Sequence, residues 1–192
     1  MTAKPLKKGA TYDDLRDVPD HFVAEMFDGE LYASPRPAFP HAHAASVLGI
    51  EIGGPFHRGR NGPGGWVIVD EPELHFGNDV LVPDLAGWRR QRLPSLPADA
   101  YPTLAPDWIC EVLSPGTEML DRGKKLRIYA REGVAHAWLL DPLRHTLEVM
   151  SLDAGGWTVL SNYEGERGVR AVPFDAIELG LGALWVSSTK RT

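Results

Sequence analysis

Cysteine is almost missing from this chain: Cys110 is the only one among 192 residues. A lone thiol forms no internal disulfide and cannot anchor a zinc site built on several thiolates, which fits a reducing cytoplasm. Long apolar runs are missing too, because charged residues interrupt each one well before the roughly 18 residues a membrane span needs. The opening Met1-Thr2-Ala3-Lys4 leads into no hydrophobic signal core, so neither a membrane span nor secretion is expected. Nor is there an excess of positive charge: 20 Lys plus Arg face 26 Asp plus Glu, for a formal net charge of −6. That argues against a protein that coats nucleic acid nonspecifically, since such affinity comes from many cationic contacts to phosphate. It leaves room for a small basic patch beside a metal. Repeats and low-complexity tracts are absent, and the 20 Gly and 16 Pro punctuate the chain instead of forming a linker. What is present is an ordinary globular composition, 43% hydrophobic. A chain this long buries about 70% of its unfolded surface around one core, so residues 1–192 are expected to form a single domain.

Thr11 stands before Tyr12-Asp13-Asp14-Leu15-Arg16 as an N-cap with acidic first-turn residues, and Pro19 is expected to end that helix. Asp28-Gly29 between Phe22–Phe27 and Glu30–Ala33 carries the signal of a tight hairpin. From Pro40 to about Arg58, apolar Ala44, Val47, Leu48 and Ile52 recur at spacings of three and four, which reads as one amphipathic helix. Asn61-Gly62-Pro63-Gly64-Gly65 stops it and reads as a turn, since no Walker pattern follows. Trp66–Val69, Glu73–Phe76 and Val80–Arg89 read as strands, and the prolines between Leu93 and Pro106 mark an irregular connection. Trp108–Leu113 is apolar on both sides of Glu111, the pattern of a strand buried on both faces. A helix from about Met119 to Arg131 and a buried strand Ala135–Leu140 follow, which makes a βαβ unit with parallel strands. Thr146–Leu152 and Trp157–Tyr163 read as a hairpin. The fold class is α/β with a mixed sheet.

The chemistry gathers at Asp84, Glu111 and Lys124-Lys125. If the strands of Asp84 and Glu111 are neighbours, two carboxylates converge, and like charges that close raise each other's pKa unless a cation or proton neutralises them. A hard divalent cation does so. Magnesium takes oxygen ligands and commonly uses only one or two carboxylates with waters and phosphate oxygens. A lysine nearby can orient or deprotonate the attacking water or neutralise charge, and together these parts amount to phosphodiester hydrolysis. Asp121, Lys125 and Tyr129 stand at i, i+4 and i+8 and share a helix face, while Lys124 points about 100° away. If that face looks at Glu111, Lys125 is the site lysine, Asp121 its ion-pair partner and Tyr129 a packing neighbour of its stem. An exposed helix with an ordinary i, i+4 salt bridge has the same spacing.

Val82-Pro83-Asp84-Leu85, Glu111-Val112-Leu113-Ser114-Pro115, then Asp121, Lys125 and Tyr129, Gly133-Val134 and Trp138-Leu139-Leu140-Asp141-Pro142 together resemble the bacterial Uma-two family. That family is a branch of the PD-(D/E)xK restriction-endonuclease-like superfamily. The likeness covers roughly residues 11 to 150 and includes Asp28-Gly29-Glu30 and His41. It implies a restriction-endonuclease-like core, a mixed β-sheet with flanking helices and extra hairpins. It also implies Asp84 and Glu111 as ligands of Mg2+ or Mn2+, and a nuclease activity with nucleic acid, DNA above all, as substrate. Two residues after Glu111, where the superfamily pattern places lysine, this chain has Leu113. The Uma-two branch resembles it in lacking the strand lysine, and its helix lysine corresponds to Lys125. Glu30 and His41 are additional site candidates through the same likeness.

Other candidates have plainer readings beside the functional one. Asp84 also suits a turn or strand end, and Glu111 a structural ion pair, because a bare carboxylate in that apolar run costs several kcal/mol. His41 and His43 diverge by about 200° if both are helical. Glu71, Glu73 and His75 would share a strand face as metal ligands or as a solvated surface. Arg89, Arg90 and Arg92, like Arg58 and Arg60, suit phosphate contacts or plain solvation. Cys110 alternates with Glu111 and is expected to face away from it. The competing functions are an inactive nuclease-fold module that binds nucleic acid or protein, and an ester or glycoside hydrolase working in EDTA. A cytoplasmic homodimer is expected, as the commonest oligomer and one suited to a two-stranded substrate.

Overall fold

A computed structural model describes residues 4–98 and 101–185. Met1-Thr2-Ala3 of the opening segment and residues 99–100 of the proline-punctuated connection lie outside the described residues.

Strand β1 (Lys7–Lys8) leads into α1 (Tyr12–Arg16), where Thr11 and Asp14 close a capping box. That helix stops at Asp17, before Pro19. Strands β2 (Phe22–Phe27) and β3 (Glu30–Pro35) form the expected hairpin. Its turn needs two left-handed residues, and Asp28 (φ 56°) and Gly29 (φ 69°) supply them. Helix α2 (Phe39–Ile52), with Pro40 in its first turn, runs into a π-turn over Gly53–His57. Pro55 lies in that turn and has no N–H to donate, so the regular helix ends short of Arg58.

Strands β4 (Trp66–Asp70), β5 (Leu74–Phe76), β6 (Asp79–Leu81) and β7 (Leu85–Arg89) correct one expectation: Val80–Arg89 is two strands. Pro83 breaks the ladder, and Val82-Pro83-Asp84 crosses from one sheet to another. Strand β8 (Trp108–Val112) is followed by one helical run made of α3 (Glu118–Leu120), a π-turn (Asp121–Lys125) and α4 (Leu126–Arg131). Strand β9 (His136–Asp141) pairs parallel with β8, completing the βαβ unit. Strands β10 (Thr146–Asp153) and β11 (Gly156–Glu164) form the second hairpin. The short pair β12 (Gly168–Val169) and β13 (Leu179–Gly180) precedes a 3-10 turn over Leu181–Leu184.

The large sheet has the order β11-β10-β9-β8-β7-β4 and is mixed, because only β8 and β9 run parallel. A smaller antiparallel sheet has the order β1-β3-β2-β6-β5. Alternation along β8 divides the core. Trp108, Cys110 and Val112 pack with Leu48, Ile52 and Phe174 on one face, while Ile109 and Leu113 pack with Ile128, Tyr129 and Phe27 on the other. Glu111 therefore looks toward the α3–α4 run and the smaller sheet, and Cys110 away from it. Gly87 is required by packing: a Cβ there would stand 3.2 Å from the Trp108 ring and 3.3 Å from that of Trp66. Among the described residues no helix is long and apolar enough to cross a membrane.

Candidate active site

Asp84 stands just before β7, whose Leu85 pairs with Cys110 of β8, so its carboxylate falls beside the end of the strand that carries Glu111. Its Oδ2 accepts the Val112 backbone N–H at 2.7 Å, and its Oδ1 lies 2.5 Å from His41 Nε2 in the first turn of α2. Glu111 is only 2% exposed. Its Oε2 accepts from Lys125 Nζ at 2.9 Å and its Oε1 from the Tyr129 hydroxyl at 2.6 Å. Lys125 also pairs with Glu25 Oε1 at 2.9 Å and, more loosely, with Asp121 Oδ1 at 3.5 Å. The Thr117 hydroxyl donates to Asp121 Oδ2, and Glu25 takes the Val82 N–H. All of these except Tyr129 line one cavity of about 70 Å3, room for several waters at the roughly 10–15 Å3 each requires.

Sequence periodicity foresaw the helix face. Asp121, Lys125 and Tyr129 do meet around Glu111, although Tyr129 binds the carboxylate directly instead of packing along the lysine stem. Lys124 points elsewhere, to Glu30 Oε2 and the Tyr32 hydroxyl. Glu30 is held there, its pKa lowered to about 2 by the Lys124 and Tyr32 hydrogen bonds, and does not line the cavity. Glu25 takes the place on the early hairpin that Glu30 was expected to fill. A signal for it existed, since Glu25 interrupts the run Val23-Ala24-Glu25-Met26-Phe27 much as Glu111 interrupts its own.

His43 turns to the Ala183 carbonyl, so the two α2 histidines diverge. The chain bends at Glu71 (φ 43°), which pairs with Arg36, while Glu73 pairs with His75; these three do not converge. Arg89 lies over the Trp66 ring, Arg90 donates to the Trp66 carbonyl and Arg92 pairs with Asp107.

Electrostatically the cavity is lopsided. Five carboxylates, Glu25, Glu71, Asp84, Glu111 and Asp121, face one lysine and one histidine; Glu71 is offset by Arg36 from outside the cavity, and the other four still outnumber Lys125 and His41. Burial, and then the neighbouring Asp121, Asp84 and Glu25, push the Glu111 pKa well up despite Lys125. Burial alone would lower the Lys125 pKa, but Glu111 and Glu25 with Tyr129 and Asp121 override it and hold the ammonium well above the ordinary lysine value. Lys125 is therefore a firmly charged donor and not a resting base.

Asp121 is pushed up to about 6, chiefly by burial. With a folded pKa above the ordinary 3.8, the folded state keeps a proton that the unfolded chain gives up, so this preference is full below about pH 4 and is lost as pH rises through 6. The metal-free protein should thus gain on the order of 1 kcal/mol on going from pH 7 to pH 5. Asp121→Asn should flatten that gain. Urea midpoints at the two pH values check this, and an unchanged pH slope in the variant would assign the proton elsewhere.

Among the described residues, no group of three or more His, Cys, Asp or Glu converges as a metal cage would. A divalent ion here would lean on Asp84 and Glu111. Each carboxylate oxygen retains a second lone pair beyond the hydrogen bond it already accepts. The donor set fits magnesium or manganese: hard oxygens, few protein ligands, space for water, and a surplus of negative charge to neutralise.

A mixed sheet, a second smaller sheet and a helical run packed around carboxylates at a strand end define a mixed α/β protein with a buried acidic site. The chain is similar, at 24% identity and a TM-score of 0.72, to a crystal structure described as "a putative nuclease belonging to DUF820 from Anabaena variabilis ATCC 29413". The match covers 91% of this chain and 97% of that one and shows the shared fold. Residues 10–182 match the model of the Uma2 family, described as "Putative restriction endonuclease", and the protein belongs to that family. No curated protein matches. Membership supports a nuclease-like function, and a restriction-endonuclease-like family generally implies use of a divalent metal ion.

Proposed function

We propose that this protein is a magnesium- or manganese-dependent nuclease that hydrolyses phosphodiester bonds of DNA, with Asp84 and Glu111 as metal ligands and Lys125 as the cation that orients Glu111. The observation that carries the reading is the excess of buried carboxylate over cation in one small cavity with room for several waters. Family membership supports it. The ion, when bound, would supply positive charge to the phosphate oxygens and a more acidic water.

Hydrolysis joins the water oxygen to phosphorus, breaks one P–O ester bond and leaves a proton to be taken up. The Val112 N–H and His41 fix the Asp84 carboxylate, so its free lone pairs keep one direction. Lys125 and the Tyr129 hydroxyl fix Glu111 in the same way. Lys125 keeps its proton among three carboxylates, so it acts through its charge and its hold on Glu111 and does not abstract. In this reading residues 1–192 act as one domain in the cytoplasm, paired as a homodimer. A monomer mass from solution scattering would remove the dimer alone.

The test is cleavage of labelled single- and double-stranded DNA in magnesium and in EDTA, beside calorimetric titration of magnesium. Metal-dependent cleavage is expected; no cleavage together with no binding at millimolar metal would overturn the reading. A second reading has its own observation. Both Glu111 oxygens are already engaged by Lys125 and Tyr129, as suits a nuclease-fold module that binds without cutting. Metal binding with no cleavage of DNA or RNA would favour it.

A further inference from the structure

The small acidic cavity opens into a larger one of about 800 Å3, and Pro37, His41, Glu71 and Asp84 line both. The larger cavity exists because side chains are small along its floor: Ala42, Ala45 and Ser46 on α2, then Gly53 and Gly54 in the π-turn. A Cβ added at Gly53 or Gly54 meets nothing within 4 Å, and neither residue has positive φ, so the space is set by sequence and not by backbone strain.

Arg58 and Arg60 line the same groove, both exposed. Among the described residues neither guanidinium has an ion pair or side-chain hydrogen bond, in contrast to Arg92, Arg122 and Arg144. Opposing charge in the groove is limited. Glu71 is paired with Arg36 and Asp84 sits against His41, which leaves Asp70. At the junction His41 Nδ1 is buried with no partner. Ile50, 72% exposed on a wall of the groove, offers an apolar surface.

We infer that this groove seats a single-stranded nucleic-acid segment, with Arg58 and Arg60 holding backbone phosphates while the chain leads past His41 to Asp84. The inference rests on the nuclease reading above and adds the form of the substrate. A groove of about 800 Å3 admits a few unpaired nucleotides, whereas a duplex, with its bases paired inside, would meet only its mouth. A flexible single strand enters it. Free guanidiniums meet phosphates by charge, and an apolar wall suits unstacked bases.

The experiment is fluorescence anisotropy of a labelled twelve-nucleotide single-stranded DNA with the full-length chain in EDTA, so that binding is read without cleavage. Wild type should bind the single strand at least tenfold more tightly than the duplex of the same sequence. Arg58→Ala with Arg60→Ala should weaken it at least tenfold and reduce the salt slope by about 1.4, at roughly 0.7 per phosphate contact. Gly53→Leu, or Gly54→Leu if the first does not fold, should weaken it comparably by filling the groove, with magnesium affinity unchanged. Equal or tighter duplex binding, no single-strand binding, or groove variants matching wild type would each overturn the inference. Cleavage of DNA with any of those results sinks the groove alone, whereas groove-dependent binding with no cleavage in magnesium sinks the nuclease reading alone.

Discussion

Replacing Lys125 with methionine is expected to destabilise the protein by about 3–5 kcal/mol at pH 7, the range seen when one partner of a buried ion pair is removed. Lys125 is 3% exposed and, among the described residues, is the only lysine lining the cavity; its loss leaves Glu25, Glu111 and Asp121 without their cation in a poorly solvated space. Methionine has similar length and no charge, so packing changes little and the loss reads electrostatics. Urea denaturation measures it. The deficit should shrink as pH falls toward 5, because protons then do what the ammonium did. Adding Glu111→Gln to the variant should restore part of the stability, since the two residues are in contact and their effects do not add. A loss below about 1 kcal/mol at pH 7 would mean that protons already neutralise the cluster without Lys125.

Asp84→Asn should leave the fold standing and remove the chemistry. Asparagine keeps an oxygen for the Val112 N–H and turns its amide toward His41 Nε2, so both anchoring contacts survive in neutral form. What goes is one of the two anionic oxygen donors proposed for the ion. Cleavage in magnesium should fall on the order of 10³-fold, the scale at which removing one electrostatic stabiliser is felt, and magnesium affinity should fall with it. The melting midpoint should stay within a few degrees. Undiminished magnesium binding by calorimetry would take Asp84 out of the metal site, and undiminished cleavage would take it out of the mechanism.

The contrast between these two variants reflects how the acids are seated. Asp84 sits at a strand junction with a histidine and a backbone amide for company, and an isostere meets both needs. Glu111 and Lys125 are locked in the core, where the same groups serve folding and the proposed chemistry. Lys125 is thus bound into the architecture more tightly than a freely placed catalytic lysine would be. The absence of a lysine two residues beyond Glu111 has a packing counterpart: Leu113 fills that position in the core against the α3–α4 face.

Local rules were enough wherever neighbours in sequence determine the outcome. Period-two alternation around Glu111 set its face opposite Cys110, the i, i+4, i+8 spacing gathered Asp121, Lys125 and Tyr129, and Asp28-Gly29 specified its turn, because strand pleat, helix pitch and left-handed φ act over a few residues. The tertiary structure alone decided which distant groups share a cavity. Glu25 entered the cluster and Glu30 left it for Lys124, 94 residues away; Pro83 divided one expected strand between two sheets; and Arg58 and Arg60 were left unpaired in a groove while Arg92 found Asp107. Those outcomes depend on how sheets and helices dock, where burial makes each charge seek a partner that spacing along the chain does not reveal.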